Sequence, residues 1–275
     1  MSGFLEDMAR SSTERVSRAL DRESLEALAR RAGQTPPAPP LRLSAAGFDV
    51  IAELKLRSPA AGVLKDASHD WRDRVVSYAR AGAAAVSVLT EPSRFDGSLD
   101  HLREAARALA PLEVPAMRKD FIVHSYQVLE ARAAGAGGVL VIVRMLRREL
   151  IEELLHAAAA QGLFVLLEAF DADDLALAGV LQRRFATAEA PVLVGLNCRD
   201  LDTLAVDPSR FAALAAQLPA GSTAVAESGV ATAADAREMR RLGYRAALVG
   251  TALMQSEQPE ALLREILTAG RTGRV

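Results

Sequence analysis

The segment VIAELKLRSP, residues 50–59, sets an acid and a base into a short apolar run. Glu53 and Lys55 are two residues apart, and side chains two apart along a β-strand point to the same side. A carboxylate and an ammonium group placed in this way form either a structural ion pair or a pair able to move protons. The rest of the sequence decides between these two interpretations.

Eight apolar runs recur along the chain, and helical segments separate them. The runs are Val50–Lys55, Ala84–Thr90, Val114–Lys119, Gly138–Val143, Phe164–Glu168, Val192–Asn197, Thr223–Ser228 and Ala246–Gly250. A glycine that can end a helix precedes several of them, as in YARAGAAAVSVLTE and MRRLGYRAALVGTAL. This pattern predicts an α/β fold, a (β/α)₈ TIM barrel. An open doubly wound sheet would normally show a Gly-x-Gly-x-x-Gly turn after its first strand, and the sequence has none there.

The first 45 residues differ in character from the rest of the chain. Apolar residues at helical spacing among many charges predict one or two amphipathic helices over residues 4–32, with a break near Ser11 and Ser12. The segment GQTPPAPPLRL that follows is a proline-rich connector that cannot continue a helix. We therefore predict an N-terminal helical extension and connector at 1–45 and a barrel catalytic domain at 46–275.

Polar side chains gather at the carboxyl ends of the predicted strands. These ends carry Glu53 and Lys55, Thr90 and Glu91, Lys119, Glu168, Asn197 and Arg199, and Glu227 and Ser228. In a closed parallel barrel these ends meet at one rim, where barrel enzymes build their active sites. A structural salt bridge at the rim explains any one of these side chains equally well. Desolvating the whole set costs on the order of several kcal/mol, and a purely structural rim could avoid this cost by using apolar residues. The set therefore favours an active site over a structural rim.

Glycines after the last two runs indicate an anion site. Gly229 follows the seventh run in AESGV, and Gly250 and Thr251 close the eighth in LVGTAL. Loops after strands seven and eight of barrels often bind phosphate through backbone N–H groups, which glycine lets approach closely. Ser58, in RSPAAG, adds a hydroxyl group. We therefore expect a small-molecule phosphorylated substrate.

Composition excludes several other classes of protein. The chain has 275 residues, of which 50% are hydrophobic, which is enough for one large core. A formal net charge of -2 provides no general attraction for nucleic acid or an anionic membrane, so neither partner is expected. The four histidines lack ligand-like spacing, which predicts no metal site, and strand alternation directs the single cysteine, Cys198, behind the sheet as a packing residue. The first residues lack the basic flank and apolar run of a signal peptide, so we predict a cytoplasmic protein.

Seven motifs, in chain order, resemble those of indole-3-glycerol phosphate synthase, a barrel enzyme of tryptophan biosynthesis. They are IAELKLRSPAAG, SVLTEPSRFDGSLDHL, MRKDFIVHSYQVLEARAAGA, LLEAF, GLNCRDLDTLAVD, AVAESGV and ALVGTALM. The resemblance covers residues 46 to 268, one motif per strand end, and is weak over the first 45 residues. It departs at Leu56, Ala60 and Cys198, where the family usually has a basic residue, a serine, and an asparagine or serine. In the family an N-terminal extension caps the barrel, a role that the predicted N-terminal helices would share.

The resemblance implies the conversion of 1-(2-carboxyphenylamino)-1-deoxyribulose 5-phosphate to indole-3-glycerol phosphate, with loss of carbon dioxide and water and without a cofactor. By position, Lys119 resembles the general acid, Glu168 the general base and Lys55 the group that binds the substrate carboxylate or acts in dehydration. The other implied positions are Glu53 and Asn197 as catalytic residues, Arg199, Glu227, Phe121 and Leu248 as substrate-binding residues, and Ser58, Ser228, Gly229, Gly250 and Thr251 as phosphate-binding residues. For a lysine acid, we expect burial and a second lysine nearby to lower the pKa.

Two other interpretations compete with this one. A different phosphosugar barrel, such as a phosphoribosyl isomerase or the tryptophan synthase α-subunit, would share the phosphate loops but has no reason to carry Lys55, Lys119 and Glu168 together. A barrel that serves only as a binding module should have lost at least one charged strand end, because unpaired buried charges are costly. As for assembly, we expect a monomer or a weak homodimer.

Overall fold

A computed structural model describes residues 3–45, 47–58, 62–63, 70–201 and 203–272, with the backbone alone at residues 58 and 63. Its strands are β1 (Asp49–Leu54), β2 (Ala85–Leu89), β3 (Ala116–Lys119), β4 (Gly138–Ile142), β5 (Phe164–Ala169), β6 (Val192–Asn197), β7 (Ala224–Glu227) and β8 (Ala246–Val249). They form one closed parallel barrel, because each strand pairs with the next and β8 pairs with β1. The predicted (β/α)₈ barrel is confirmed, and the strand ends lie within about two residues of the predicted runs.

Helices connect the strands on the outside of the barrel. They are α3 (Trp71–Arg80), α4 (Pro92–Phe95), α5 (Leu99–Leu109), α6 (Ser125–Ala133), α7 (Arg148–Ala160), α8 (Ala172–Phe185), α9 (Ser209–Ala213), α10 (Ala233–Arg241), α11 (Thr251–Gln255) and α12 (Pro259–Thr272). Among the described residues, short 3₁₀ turns lie at Ala110–Leu112, Val143–Met145 and Ala215–Gln217. A pair of two-residue antiparallel strands is formed by Arg57–Ser58 and Gly62–Val63. Within the described ranges, no helix has both the length and the apolar character needed to cross a membrane.

Strand alternation divides the barrel side chains into two cores. Outward-facing side chains such as Val50 and Val86 pack against the helices, and inward-facing ones such as Ile51 and Leu166 fill the barrel. Strands buried on both faces read as continuous apolar runs, which is why the sequence shows them so clearly. Because side chains two residues apart on a strand point to the same side, Glu53 faces the inside of the barrel, as Ile51 does, but nearer the carboxyl end of β1.

Two helices precede the barrel, α1 (Gly3–Leu20) and α2 (Leu25–Gln34). The predicted break near Ser11 and Ser12 is wrong, since α1 runs through both residues. The Ser12 side chain is buried and donates its hydroxyl to the Phe121 carbonyl, so it does not compete for the backbone of its own helix. The chain turns only after the end of α1.

The N-terminal helices pack on the barrel at two places. Leu5 and Met8 of α1 join the inner core, whereas Val16 of α1 and Leu28 of α2 pack around Tyr126 of α6. The apolar face predicted from the sequence is therefore confirmed only in part, because Leu20 and Leu25, at the end of α1 and the start of α2, are exposed. Residue 46 lies outside the described part of the chain, so a domain boundary at that position stays a prediction.

Candidate active site

The carboxyl ends of the strands surround a cavity of about 440 Å³. It is lined by thirteen of the fourteen predicted site residues: Glu53, Lys55, Lys119, Phe121, Glu168, Asn197, Arg199, Glu227, Ser228, Gly229, Leu248, Gly250 and Thr251. The side chain of the fourteenth, Ser58, lies outside the described part of the chain. Charges scattered in the sequence therefore converge in one mouth, as the topology requires. In the part that the structure describes, no group of three or more His, Cys, Asp or Glu side chains is placed to hold a metal ion.

Lys119 lies at the centre of the charged groups. Its Nζ, at the end of β3, is 3.0 Å from Glu168 Oε2 and 3.6 Å from Glu227 Oε2. Burial by itself would lower the pKa of Lys119, but the carboxylates of Glu168, Glu227 and Glu53 outweigh burial and raise it above the ordinary value for lysine. The expectation of a lowered lysine pKa is wrong for Lys119, because several carboxylates converge on its ammonium group.

Glu53 and Lys55 form an ion pair at the end of β1, with Lys55 Nζ 2.8 Å from Glu53 Oε1. Burial opposes ionisation of Glu53, but Lys55 and Lys119 outweigh burial and lower the pKa of this carboxyl group. A Cβ atom built on Gly250 would overlap the Glu53 carboxylate, so the absence of a side chain there makes room for the acid. Glu53 is therefore an ionised group that holds Lys55 at the mouth.

Glu168, at the end of β5, is held from two sides. Its Oε2 accepts from Lys119, and its Oε1 accepts from Asn197 Nδ2 at 3.0 Å. The amide of Asn197 is itself oriented, because its Oδ1 accepts the backbone N–H of Arg199 at 3.0 Å. The Arg199 guanidinium donates to the Leu204 carbonyl at 2.8 Å. This chain of contacts fixes the direction in which the Glu168 carboxylate faces the cavity.

Glu227, at the end of β7, is the third carboxyl group. It is fully buried, and neither of its oxygens has a hydrogen-bond partner in the described part of the structure. Burial, reinforced by the charge of Glu168, raises the pKa of Glu227 well above its ordinary value. A Cβ atom on Gly195 of β6 would overlap the Glu227 carboxyl group, so Gly195 provides its space. The site thus pushes the pKa values of Glu53 and Glu227 in opposite directions, as acid–base sites do.

Four of the five predicted phosphate-binding residues, all except Ser58, lie on two adjacent loops. Ser228 and Gly229 follow β7 with φ angles of 63° and 83°, and Gly250 and Thr251 lead from β8 into α11. A left-handed serine costs energy and persists only when its surroundings hold it. Cys198 Sγ, 3.1 Å from the Ser228 carbonyl, donates to it. Cys198 packs in the outer core as alternation predicts, and burial raises the pKa of its thiol to about 11.

Apolar side chains line the rest of the cavity, and most of them were not identified from the sequence. Phe121 and Leu248 were predicted, and both are buried there. Phe4 of α1 meets Phe121 edge-on, with ring centroids 5.9 Å apart. The ring of Phe95, in α4, also lies near Phe121, with ring centroids 6.3 Å apart. Further apolar lining comes from Leu5, Leu140, Ile142 and Leu201. An apolar residue of an amphipathic helix gives no signal that it faces a site, so Phe4 was visible only as a core position.

Two polar side chains that follow β2, those of Thr90 and Glu91, do not line the cavity. The Thr90 hydroxyl donates to Asp120 Oδ2 at 2.6 Å. The Glu91 carboxylate caps α4 by accepting the backbone N–H groups of Ser93 and Arg94 at 2.8 and 2.7 Å. These groups have structural partners, so the convergent set is smaller than the sequence predicts.

Comparison with known proteins agrees with this geometry. The family model for indole-3-glycerol phosphate synthase matches residues 5–266. A protein of that name from Nocardioides sp. is 43% identical over 232 residues, 84% of this chain and 85% of the relative. Another from Leifsonia xyli subsp. xyli is 42% identical over 266 residues, 96% of this chain and 95% of the relative. The solved 3-hexulose-6-phosphate synthase from Salmonella typhimurium has a TM-score of 0.63 at 16% identity, over 82% of this chain and 100% of that one, which shows the fold alone.

The family match begins at residue 5 and so includes α1 and α2, whereas the motif resemblance began at residue 46. The two relatives share much more sequence with this chain than a common barrel requires, since the hexulose phosphate enzyme has the same fold at 16% identity. The chain therefore belongs to the indole-3-glycerol phosphate synthase family.

Proposed function

We propose that the chain converts 1-(2-carboxyphenylamino)-1-deoxyribulose 5-phosphate to indole-3-glycerol phosphate in tryptophan biosynthesis, and that the residues of the mouth carry out the reaction. Family membership supports the reaction. One observation carries the residue assignment: Lys119 contacts Glu168 at 3.0 Å within a cavity that also contains Lys55 and the two loops after β7 and β8. An acid, a base and a second ammonium group then surround one small molecule.

Ring closure requires a proton donor. The aromatic carbon that bears the carboxylate attacks the ketone carbon, and the electron pair of the C=O bond moves to its oxygen. Lys119 gives that oxygen a proton, and its raised pKa ensures that the ammonium form is present at neutral pH. Carbon dioxide then leaves, and the electrons of its bond return to the ring. Lys55, held by Glu53, binds the substrate carboxylate until this departure.

Dehydration requires both an acid and a base. The new hydroxyl group leaves as water, while the adjacent carbon beside the nitrogen loses a proton to form the indole double bond. Glu168 takes that proton, in an orientation fixed by Asn197. Lys55 protonates the departing hydroxyl group, and Glu227 and Arg199 complete the polar wall around the sugar chain.

Substrate binding divides the cavity into two ends. The phosphate binds to the loops that contain Ser228, Gly229, Gly250 and Thr251, where backbone N–H groups can approach it. The aromatic ring of the substrate packs against Phe121 and its neighbours. With the substrate bound in this way, we expect the reacting carbons to lie between the two ends, beside Lys119.

The use of lysine supports the assignment. Only three of the 33 basic residues are lysines, namely Lys55, Lys65 and Lys119, and the rest are arginines. Lys65 lies outside the described residues, and the other two both line the cavity. Arginine does not release its proton in proteins, whereas lysine can, because the pKa of its ammonium group shifts with its surroundings. A reaction that moves protons accounts for lysine at these two positions in a chain that otherwise uses arginine.

The test is the formation of indole-3-glycerol phosphate from the named substrate, measured by the fluorescence of the new indole ring. The purified chain should form the fluorescent product, and the wild-type gene should rescue a tryptophan-requiring strain that lacks this step. Lys119→Ala should fail in both experiments. A phosphoribosyl isomerase substrate is the matched control and should remain unchanged. A folded wild-type protein that forms no indole-3-glycerol phosphate would exclude the proposed function.

A further inference from the structure

The residue after Lys119 has a fully buried carboxylate, that of Asp120. Its donors are the two terminal nitrogens of Arg15 at 3.0 and 2.7 Å, Arg118 Nη2 at 3.0 Å, the Thr90 hydroxyl at 2.6 Å and the Phe121 backbone N–H at 2.8 Å. Burial opposes ionisation of Asp120, but Arg118 and Arg15 hold the pKa well below its usual range. The chain just beyond Lys119 is therefore fixed by an ionised carboxylate, and part of its partner set comes from α1.

The backbone of the next residue is held by α1 as well. The Ser12 hydroxyl donates to the Phe121 carbonyl, and Gln127 Nε2 donates to Ser12 Oγ at 2.9 Å. Ser12 and Arg15 are three residues apart and so lie on one face of the helix. Arg15 Nη2 also approaches Ser12 Oγ at 3.3 Å. One face of α1 therefore makes two contacts with the segment that follows Lys119. Arg15 binds the Asp120 carboxylate, which accepts the Phe121 backbone N–H, and Ser12 donates to the Phe121 carbonyl.

The same helix reaches the cavity at its other end. Phe4 packs against the Phe121 ring and Leu5 lines the mouth. The segment Asp120–Phe121 is therefore in contact with α1 through its carboxylate, its backbone and its ring. By contrast, attachment of α1 to the barrel does not depend on this segment alone, since the Tyr126 hydroxyl lies 3.2 Å from the carbonyl of Ala19 near the end of α1.

We propose that Arg15 is a positioning residue for the reaction: by holding Asp120, it fixes the strand end that directs Lys119 at Glu168 and sets the Phe121 ring against the substrate. The inference rests on the proposed function, which assigns Lys119 and Phe121 their roles. Arg15 itself touches no reacting atom. The guanidinium binds two acceptor atoms in one plane, so it determines direction as well as charge. A displaced acid costs turnover even when the fold is intact.

The test is Arg15→Met, which removes the guanidinium group and keeps an apolar stem. We expect kcat to fall by about tenfold or more and KM to rise by about threefold, because both the acid and the ring contact are displaced. The inhibition constant of inorganic phosphate should stay within about twofold, since the hydrogen bonds of Arg15 among the described residues go to Asp120 and Ser12 and not to the loops after β7 and β8. Arg15→Lys, which restores the charge and one hydrogen bond, should recover kcat to within about threefold of wild type. All rates are measured where circular dichroism shows a folded protein.

The matched control is Arg31→Met in α2. Arg31 binds Glu23 with two nitrogens at 3.0 and 2.7 Å, the same distances as in the Arg15 pair, without any link to Lys119. Its kcat should stay within about twofold of wild type. If Arg15→Met loses thermal stability but matches the control in kcat and KM, the pair is only an anchor and the inference is overturned.

A second variant covers the case in which Arg15→Met does not fold. Asp120→Asn keeps the shape of the side chain and one acceptor oxygen but loses the charge that binds the guanidinium. It should show the same fall in kcat with phosphate inhibition unchanged, and wild-type kcat in this variant would also overturn the inference. The two proposals fail in different ways: a wild-type protein that forms no indole-3-glycerol phosphate contradicts the proposed function, whereas an active wild type with unchanged kcat in Arg15→Met contradicts only the role of Arg15.

Discussion

The ammonium of Lys119 and the carboxylate of Glu168 meet at 3.0 Å although β4 lies between the strands that carry them. They are 49 residues apart in the chain, so only the closed barrel brings them together. At this distance no substrate atom fits between the ammonium group and the carboxylate. The contact must therefore open when a reacting molecule takes the place between them.

Replacing Lys119 by arginine separates charge from proton donation. Lys119→Arg retains a cation next to Glu168, but a guanidinium does not release its proton. We expect kcat to fall by about a hundredfold or more, comparable with Lys119→Ala, with little change in melting temperature. Continuous indole fluorescence gives the rate. Turnover within about tenfold of wild type would mean that the positive charge, and not the proton, is what the reaction uses.

Glu168→Gln removes the base and keeps the shape of the side chain. The glutamine can still accept from Asn197, so the local structure should persist while kcat falls by about a hundredfold. The control is Glu152→Gln on α7, which loses ion pairs with Arg148 and Arg184 outside the cavity and should keep wild-type turnover. Equal rates for the two variants would remove Glu168 from the mechanism.

Glu227 should make stability depend on pH. Its folded pKa is raised, so it adds stability below its unfolded pKa of about 4.3, and this stability is lost as the pH rises through the folded pKa. Glu227→Gln cannot ionise and has no such loss. The melting temperature of the variant minus that of wild type should therefore increase from about pH 5 to about pH 9. A difference that stays constant over this range would show that the carboxyl group is ionised throughout.

Gly195→Ala should disturb the site through Glu227. The added Cβ overlaps the carboxyl group and displaces it from Lys119, so we expect kcat to fall by about tenfold. Adding Glu227→Asp, which shortens that side chain, should restore the folded stability that the clash removes. Gly33→Ala in α2 is the control, because a Cβ there meets nothing within 4 Å and should leave turnover unchanged. The same rate in Gly195→Ala as in Gly33→Ala would contradict the steric argument.

Much of the fold could be predicted because barrel strands are buried on both faces. Such strands appear as uninterrupted apolar runs, as in Gly138–Ile142, and their boundaries follow from the glycines that end the preceding helices. The continuity of α1 through Ser12 could not be predicted, since a serine in a helix looks like a weak point unless its partner is known. The partner of Ser12 is the carbonyl of Phe121, 109 residues away.

The charged part of the site was predictable for a similar reason. Strand alternation places Glu53 and Lys55 on one side, and the topology brings the other strand ends to them. The contact of Phe4 with the Phe121 ring and the ion pair of Arg15 with Asp120 depend on how α1 packs on the barrel. The local sequence pattern does not determine this packing. The direction of the Lys119 pKa shift also escaped prediction, because it depends on how many carboxylates face one ammonium group. The scarcity of lysine in the sequence was a signal that would have drawn attention to both ammonium groups at the outset.

That scarcity has a practical consequence. With only three lysines in 275 residues, incorporation of isotope-labelled lysine should produce a magnetic resonance spectrum with three side-chain signals, two of them from Lys55 and Lys119. Titrating the sample with and without a bound anion would then follow each ammonium group separately, without altering a single residue. The chain thus comes with its own spectroscopic reporters at the place where the chemistry is expected.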